Sequence, residues 1–298
     1  MQVPTFAVHP TFLGAGTAAA EAAVQIAGIP FDLGVTNRPG ARFAPHAIRH
    51  ASRMLTDGDN PDGWVDPRRL PIADLGDFSI ALGDIPESLR MIERQAVDHS
   101  HLLCFGGDHT ITLGLLRALA DRSGDALGLI HFDAHPDTWP DNFGQALGHG
   151  SVFYHAINEG LIAPHRMVQI GIRSPVPRAV WDWTLDKGVT IIAAETVHET
   201  GPATVAEAIR DIVGRQPVYL SFDIDALDPS QAPGTGTPEI GGLFSWQALA
   251  IIKRLRGLAF RGMDVVEVLP ACDLAEITSL AAATLAWQYL SLMVENRD

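Results

Sequence analysis

Short apolar runs recur along the chain and alternate with longer amphipathic segments. Each run is rich in aliphatic and aromatic residues and is closed by Gly, Pro or Asp, a pattern typical of buried β-strands. The runs predict eight strands: Ala22–Ile29, Leu70–Ala73, His101–Phe105, Leu127–Phe132, Met167–Ile172, Val189–Ala193, Val218–Phe222 and Arg261–Val268. The spacing between the strands leaves room for helices in the connections.

Helical periodicity fills several of these connections. The clearest predicted helices are Ile111–Arg122, Ala203–Val213, Phe244–Leu255 and Ser279–Val294. Strands that alternate with helices pair in parallel through right-handed crossovers, which predicts an α/β fold with helices on both faces of a sheet. Eight parallel strands can also close into a barrel, and periodicity does not separate the two architectures. In both, ligands bind at the carboxyl ends of the strands.

Length and charge limit the number of domains and the classes of binding partner. The 298 residues contain no internal repeat and no linker-like boundary, so a single domain spanning residues 1–298 is expected. The formal net charge of −14 repels phosphate backbones and anionic lipids, which disfavours binding to nucleic acid or to a membrane surface. Metal ions and small cationic molecules are the partners that this charge attracts.

The sequence also favours a cytoplasmic location. Cys104 and Cys272 are the only cysteines, too few for a disulfide framework, which fits a reducing compartment. No Lys or Arg precedes Arg38, so the N-terminal stretch MQVPTFAVHPTFLGAG lacks the basic region of a secretory signal. The longest apolar stretch, Ser279–Val294, is interrupted by Gln288 and is too short to cross a bilayer.

Acidic and imidazole side chains are concentrated where three predicted strands end. These strand ends read GGDH at 106–109, HFDAHPD at 131–137 and SFDID at 221–225. Residues i and i+2 of an extended chain project to the same face, about 6.6–7 Å apart. Asp133, His135 and Asp137 can therefore share one face, as can Asp223 and Asp225.

This set of side chains predicts a metal centre. Four carboxylates in one crevice raise each other's pKa unless cations neutralise them, and with His109 and His135 they supply six ligands, more than one tetrahedral zinc requires. Six ligands suit two octahedral ions about 3.5–4 Å apart. Mostly oxygen ligation favours Mn²⁺, although Ni²⁺, Co²⁺, Fe²⁺ or Zn²⁺ could occupy the site. His131 projects to the same face, but its apolar neighbours favour a buried core histidine.

Around these residues the chain resembles the ureohydrolase family of arginases and agmatinases. GGDH, DAHPD and SFDIDALDPSQAPGTGTPEIGG look like the three metal signatures of that family. GIPFDLGVTNRPGARFAPHAIR, VQIGIRS, MDVVEVLP and ITSLAAATLA resemble other parts of it, so the resemblance covers nearly the whole chain. It implies a three-layer α/β/α sandwich around an eight-stranded parallel sheet, open rather than barrel-like, with two Mn²⁺ per chain.

The resemblance also implies a ligand set for each ion. The more exposed ion would take His109, Asp133, Asp137 and Asp223, and the deeper ion would take Asp133, His135, Asp223 and Asp225. Asp133 and Asp223 are then the bridging carboxylates.

Two further positions match catalytic residues of the family. His149 corresponds to its acid/base histidine and Glu267 to the carboxylate that binds the guanidinium group. A hydroxide bridging the two ions would attack the guanidinium carbon, Asp137 would accept a hydrogen bond from the tetrahedral intermediate, and His149 would pass a proton to the leaving amine. The products would be urea and a primary amine.

Agmatine, which would give putrescine, is the expected substrate, because the local patterns look most like agmatinases. A cationic tail can be held by an aromatic ring with an acid nearby. The candidates for this role are Trp139, Asp141, Phe153 and Glu159. Guanidinobutyrate is the main alternative, because Arg173 or Arg178 could bind an anionic tail, and related enzymes cleave other guanidino acids, guanidine or biguanides.

A different functional class is also open at this stage. Relatives with partial ligand sets serve as single-zinc deacetylases or as inactive partner subunits. The filled ligand positions and Glu267 favour hydrolysis of a guanidino compound over both. The resemblance further implies a homo-oligomer, either a trimer or a hexamer.

Overall fold

Eight parallel strands form one sheet in the computed structural model, which describes residues 10–61, 63–123 and 126–295. The strands are β1 (Val24–Ile29), β2 (Ile72–Asp77), β3 (Leu102–Gly106), β4 (Leu127–Phe132), β5 (Ile162–Ile172), β6 (Thr190–Ala193), β7 (Val218–Asp223) and β8 (Phe260–Val266). Their order across the sheet is β2-β1-β3-β8-β7-β4-β5-β6. Because β2 and β6 lie at separate edges, the sheet is open, and the prediction of an open eight-stranded parallel sheet is confirmed.

Helices cover both faces of the sheet. They are α1 (Ala44–Ser52), α2 (Ile85–Ala96), α3 (Ile111–Ser123), α4 (Val152–Asn158), α5 (Arg178–Asp186), α6 (Ala194–Val213), α7 (Ser245–Lys253) and α8 (Ile277–Glu295). Helices α1, α6, α7 and α8 pack into one hydrophobic cluster, and α2, α3 and α4 pack into the cluster on the opposite face. Strand side chains alternate between the clusters, so Leu103 joins the first and Cys104 the second.

The strand order places the predicted chemistry at the middle of the sheet. Strands β3, β8, β7 and β4 are consecutive neighbours, although they lie far apart in the sequence. Their carboxyl ends carry the GGDH segment, Glu267, the SFDID segment and the DAHPD segment respectively. Four loops that could have been scattered along one edge therefore meet in a single crevice.

Three element boundaries differ by more than two residues from those that the pattern predicts. Strand β5 starts at Ile162, five residues before the predicted Met167. The pattern ends β2 at Ala73, whereas the strand continues to Asp77, because the carboxylates of Asp74 and Asp77 bind the guanidinium of Arg49 at 2.5–2.9 Å. Helix α6 starts nine residues before the predicted Ala203 and is broken at Gly201–Pro202, where proline interrupts the backbone hydrogen bonds. Of the N-terminal stretch considered as a targeting signal, residues 1–9 lie outside the described residues.

Helix α8 is apolar because it belongs to the core. The helical stretch Leu274–Val294 is long and apolar enough to cross a membrane by length and composition, but 67% of its most apolar window is buried inside the protein. It packs against α1 and α7, and Tyr289 and Leu290 are fully buried there. Its hydropathy is accounted for by this packing.

Candidate metal centre

The imidazole of His109 lies at the centre of a first group of acids. Its Nδ1 is 3.0 Å from Asp137 Oδ2 and 3.2 Å from Asp133 Oδ2. Asp223 Oδ2 lies 3.3 Å from the same nitrogen. His109 is fully buried, and its Nδ1 has no hydrogen-bond partner within the part of the chain that the structure describes. A buried ring nitrogen that faces three carboxylate oxygens without a hydrogen bond fits a group of ligands around a cation.

A second group surrounds His135 and shares a carboxylate with the first. His135 Nδ1 lies 3.1 Å from Asp225 Oδ2 and 3.3 Å from Asp133 Oδ1. Asp133 thus faces His109 with one oxygen and His135 with the other. Asp223 reaches His109 with Oδ2 and accepts a hydrogen bond from the Asp225 amide with Oδ1. The structure therefore brings together all six residues predicted to ligate metal, with Asp133 placed between the two histidines.

The buried carboxylates of this cluster need positive charge nearby to remain ionised. Burial, together with the negative charges of Asp225 and Asp133, raises the pKa of Asp223 well above its usual range. A carboxylate in that setting remains ionised only when positive charge is supplied nearby. Divalent ions between these oxygens would supply that charge.

Two acidic residues of the site have strained backbone conformations. Asp137 has φ 50° and Glu267 has φ 64°, in the left-handed region that residues other than glycine rarely adopt. Such conformations persist only where the surrounding structure enforces them, and they cluster at functional sites. In both cases the strained backbone places a carboxylate in the crevice.

Glu267 links the metal cluster to His149. Its Oε1 accepts a hydrogen bond from the His109 amide at 2.9 Å and lies 3.0 Å from His149 Nδ1. Glu267 is almost fully buried. Burial alone would lower the pKa of His149, but the charge of Glu267 and its hydrogen bond raise that pKa to about 9. The pair is therefore an acid and an imidazole in direct contact, beside the predicted ligands.

A cavity of about 620 Å³ opens onto this cluster. Its walls include predicted ligands, His149, aromatic residues and further acids. They are Thr36, His135, Asp137, Trp139, Asp141, Asn142, Phe143, His149, Gly150, Ser174, Pro175, Pro177, Asp223, Thr237 and Glu239. None of the described residues that line it is Lys or Arg, so the cavity suits a cationic ligand.

Known proteins match the chain along almost its full length. The model of the arginase family matches residues 22–291. The chain belongs to the arginase family. A protein named agmatinase from Chromobacterium violaceum is 46% identical to it over 91% of this chain and 83% of that protein. An agmatinase from Enterobacter sp. (strain 638) is 45% identical over 91% of this chain and 88% of that protein.

Solved structures of arginase-family proteins share the fold. A structure described as a hypothetical agmatinase from Burkholderia thailandensis superposes with a TM-score of 0.91 at 42% identity, covering 98% of this chain and 93% of that one. A proclavaminate amidino hydrolase from Streptomyces clavuligerus superposes with a TM-score of 0.92 at 36% identity, covering 99% and 100%. Membership of the arginase family implies a centre for two divalent metal ions. The acid and imidazole cluster around His109 and His135 fits such a centre.

Two of the four predicted tail-binding residues lie outside the cavity of this arginase-family protein. Phe153 is fully buried, and its ring packs against His109 and His131 with centroids 5.2 and 4.3 Å apart. Glu159 forms a two-pronged ion pair with Arg117 at 2.7 and 2.8 Å. The structure does not bring Phe153 or Glu159 to the cavity wall as predicted, because Phe153 packs in the core and Glu159, which follows α4, pairs with Arg117. Trp139 and Asp141 do line it.

His131 is a satisfied buried histidine, as its apolar neighbours indicate. Its Nδ1 accepts a hydrogen bond from Gln169 Nε2 at 3.0 Å, and its Nε2 lies 2.8 Å from Asp133 Oδ2. The contact with Asp133 is one that the sequence pattern misses. Because Nδ1 is an acceptor, the ring proton is on Nε2, which donates a hydrogen bond to the Asp133 carboxylate. This hydrogen bond fixes the orientation of Asp133, a predicted bridging ligand.

The far nitrogen of His109 is connected to a buried acid. His109 Nε2 lies 2.8 Å from Ser221 Oγ, which in turn lies 2.6 Å from Asp264 Oδ1. Asp264 is fully buried and also accepts hydrogen bonds from the hydroxyls of Thr112 and Tyr219. Because the Asp264 carboxylate can only accept, the Ser221 hydroxyl donates its hydrogen bond to Asp264. The same hydroxyl oxygen then accepts a hydrogen bond from His109 Nε2–H, so Nδ1 is the nitrogen left to bind metal.

Breaking this connection should weaken metal binding. Replacing Ser221 by alanine removes the hydroxyl between His109 and Asp264, and we expect the Kd for Mn²⁺ to rise roughly tenfold to a hundredfold. The matched control is Thr112→Val, which removes another hydroxyl from Asp264 but leaves the connection intact and should change the Kd by less than about threefold. Metal titration of both variants measures the difference. An equal rise in Kd for the two variants would show that the hydrogen bonds between His109 and Asp264 do not contribute to metal affinity.

Proposed function

We propose that the chain hydrolyses agmatine to putrescine and urea and uses two Mn²⁺ ions to do so. The similarity to proteins named agmatinase supports the reaction. The observation that carries the proposal is the acidic cavity, which opens onto the metal cluster and has Asp141 and Glu239 on its walls. Agmatine is cationic at both ends, and none of the described lining residues is Lys or Arg.

Neither of the two basic candidates for binding an anionic substrate is among the described residues that line this cavity. Arg173, one of the two basic candidates, donates hydrogen bonds to several backbone carbonyls, including those of Asp225 at 2.8 Å and Glu239 at 2.6 Å. Arg178, the other candidate, is exposed and pairs with Asp182 at 2.7 Å. Both guanidinium groups are thus held elsewhere, which favours agmatine over guanidinobutyrate.

The ion sites use the residues already described. The first ion would be held by His109, Asp133, Asp137 and Asp223, and the second by Asp133, His135, Asp223 and Asp225. When bound, such ions act as Lewis acids and lower the pKa of water in the site. Oxygen-rich ligation with two imidazoles supports manganese as the metal.

The remaining roles belong to side chains at the wall of the crevice. Glu267 would hold the planar guanidinium through charge-assisted hydrogen bonds. Asp137 would accept a hydrogen bond from an amino group of the substrate. His149 would supply a proton to the leaving amine. Trp139 and Asp141, further out, would hold the ammonium tail.

The substrate assignment is tested by comparing guanidino compounds at fixed Mn²⁺. We expect urea release to proceed with a kcat/KM for agmatine at least about a hundredfold above that for guanidinobutyrate, because the latter brings a carboxylate into an acidic cavity. Arginine, guanidine and a biguanide complete the panel. A higher kcat/KM for guanidinobutyrate would overturn the proposal, and no urea from any member would favour an inactive partner subunit.

We also propose a cytoplasmic homo-oligomer. The described cysteines, Cys104 and Cys272, are unpaired, which supports a reducing compartment. An apolar groove of about 340 Å³ lies between α7 and α8, and the partly exposed Ile277 lines it. A surface of this kind supports association of copies. Light scattering of the metal-loaded protein would give the number of copies.

A further inference from the structure

Thr36 is a cavity residue that touches the proposed proton donor. Its hydroxyl lies 2.8 Å from His149 Nε2, and its backbone amide donates to the same nitrogen at 3.2 Å. The opposite nitrogen, Nδ1, faces Glu267. The imidazole is therefore held between a buried carboxylate on one side and Thr36 on the other.

The loop that carries Thr36 also forms hydrogen bonds with the site through Gly34. Gly34 donates its amide to the buried carboxylate of Asp108 at 2.8 Å and accepts the His149 amide at 3.1 Å. A Cβ on Gly34 would overlap the hydroxyl of Thr110, so only glycine fits there. The position of Thr36 is thus fixed by the same residues that position the backbone of His149.

These contacts define the tautomer of the neutral His149 ring. A backbone N–H can only donate, so Nε2 must be the acceptor when it faces the Thr36 amide, and the proton lies on Nδ1 and is donated to Glu267. Charged groups from three elements act against this neutral form. Glu267, Asp137 and Asp108 all favour the protonated ring. A residue that exchanges protons passes through both states, so its neighbours have to hold the ring in each of them.

A charged ring would present Nε2–H to Thr36, where the amide cannot accept it. The hydroxyl can, because it is both a donor and an acceptor. We propose that Thr36 is a positioning residue whose hydroxyl holds the His149 ring in both protonation states, donating to Nε2 of the neutral ring and accepting from Nε2–H of the charged ring. Nε2 takes up a proton from water and gives it up to the leaving amine, so the ring returns to its neutral Nδ1–H form in each cycle.

The inference rests on the proposed role of His149, and kinetics test it through one variant, its rescue and a control. Thr36→Val keeps the shape but removes the hydroxyl, so we expect kcat to fall about tenfold with KM changed less than about twofold. Thr36→Ser restores the hydroxyl and should return kcat to within about twofold of the wild type. The control is Asn37→Ala, in the same loop, where Asn37 hydrogen bonds to the Gly236 carbonyl and not to His149. It should leave kcat unchanged.

A measurement independent of turnover separates this inference from the proposed function. In protein labelled with [15N]histidine, loaded with diamagnetic Zn²⁺ and held at a pH above the pKa of His149, the ring of the wild type and of Thr36→Ser should show the Nδ1–H tautomer, and Thr36→Val should show a mixture. Unchanged kcat and tautomer in Thr36→Val would overturn the inference. So would failure of serine to rescue, or an equal loss of kcat in Asn37→Ala. If the wild type hydrolyses no guanidine, the proposed function fails and the spectra alone decide the role of Thr36.

Discussion

Replacing Asp223 by asparagine should lower the metal content from two ions per chain to one or none and reduce urea release by roughly a thousandfold, about 4 kcal/mol. The reason is the position of its two oxygens. Oδ2 lies 3.3 Å from His109 Nδ1, and Oδ1 accepts the Asp225 amide, so the carboxylate faces both ligand groups. Asparagine keeps the size but provides only one oxygen and no charge. Elemental analysis of purified protein and a urea assay measure both effects.

Asp211→Asn is the matched control for this substitution. Asp211 is exposed on α6, away from the crevice, and its replacement removes the same charge from the protein. We expect the control to retain both ions and full activity. An Asp223→Asn variant that still held two tightly bound ions would contradict the bridging role of this carboxylate.

The second large effect is expected from Glu267→Gln, which should reduce kcat/KM for agmatine by roughly a hundredfold to a thousandfold, about 3–4 kcal/mol, without loss of metal. Glutamine retains an oxygen that can accept from the His109 amide, so the local fold should persist. It lacks the negative charge that pairs with the guanidinium in a buried site. Steady-state kinetics and metal analysis on the same preparation separate the two properties.

Glu159→Gln provides the comparison for Glu267→Gln. Glu159 pairs with Arg117 outside the cavity, so neutralising it should change kcat/KM by less than about twofold. Similar losses in both variants would mean that the enzyme responds to its overall charge and not to a carboxylate at the guanidinium. Loss of metal from Glu267→Gln would instead assign Glu267 to the metal centre.

Local rules were sufficient to find the acids and histidines of the crevice. Alternation along an extended chain puts Asp133, His135 and Asp137 on one face, and strand ends in α/β proteins are where ligands bind. Both rules act over a few residues, so they can be read from the sequence. The order of the strands cannot, because β3, β8, β7 and β4 become neighbours only through crossovers between distant segments.

The same rules failed for side chains whose direction depends on packing. Phe153 and Glu159 follow the crevice loop closely in sequence, yet α4 carries Phe153 into the core beside His131 and Glu159 to Arg117. Conversely, Thr36 looks like an ordinary loop residue in the sequence. It becomes a partner of His149 because the loop after β1 packs against a loop that is more than a hundred residues away in the sequence.

The sequence by itself determined the α/β class, the acidic character and the identity of the six residues gathered around His109 and His135, since each depends on periodicity, composition or residue type. Only the tertiary structure decided that His131 contacts Asp133, that Asp264 is linked to His109, and that Thr36 faces His149. The physical reason is that hydrogen bonds and metal ligation require atoms to lie within about 3 Å, a condition that distant segments meet only after the sheet and its loops have packed.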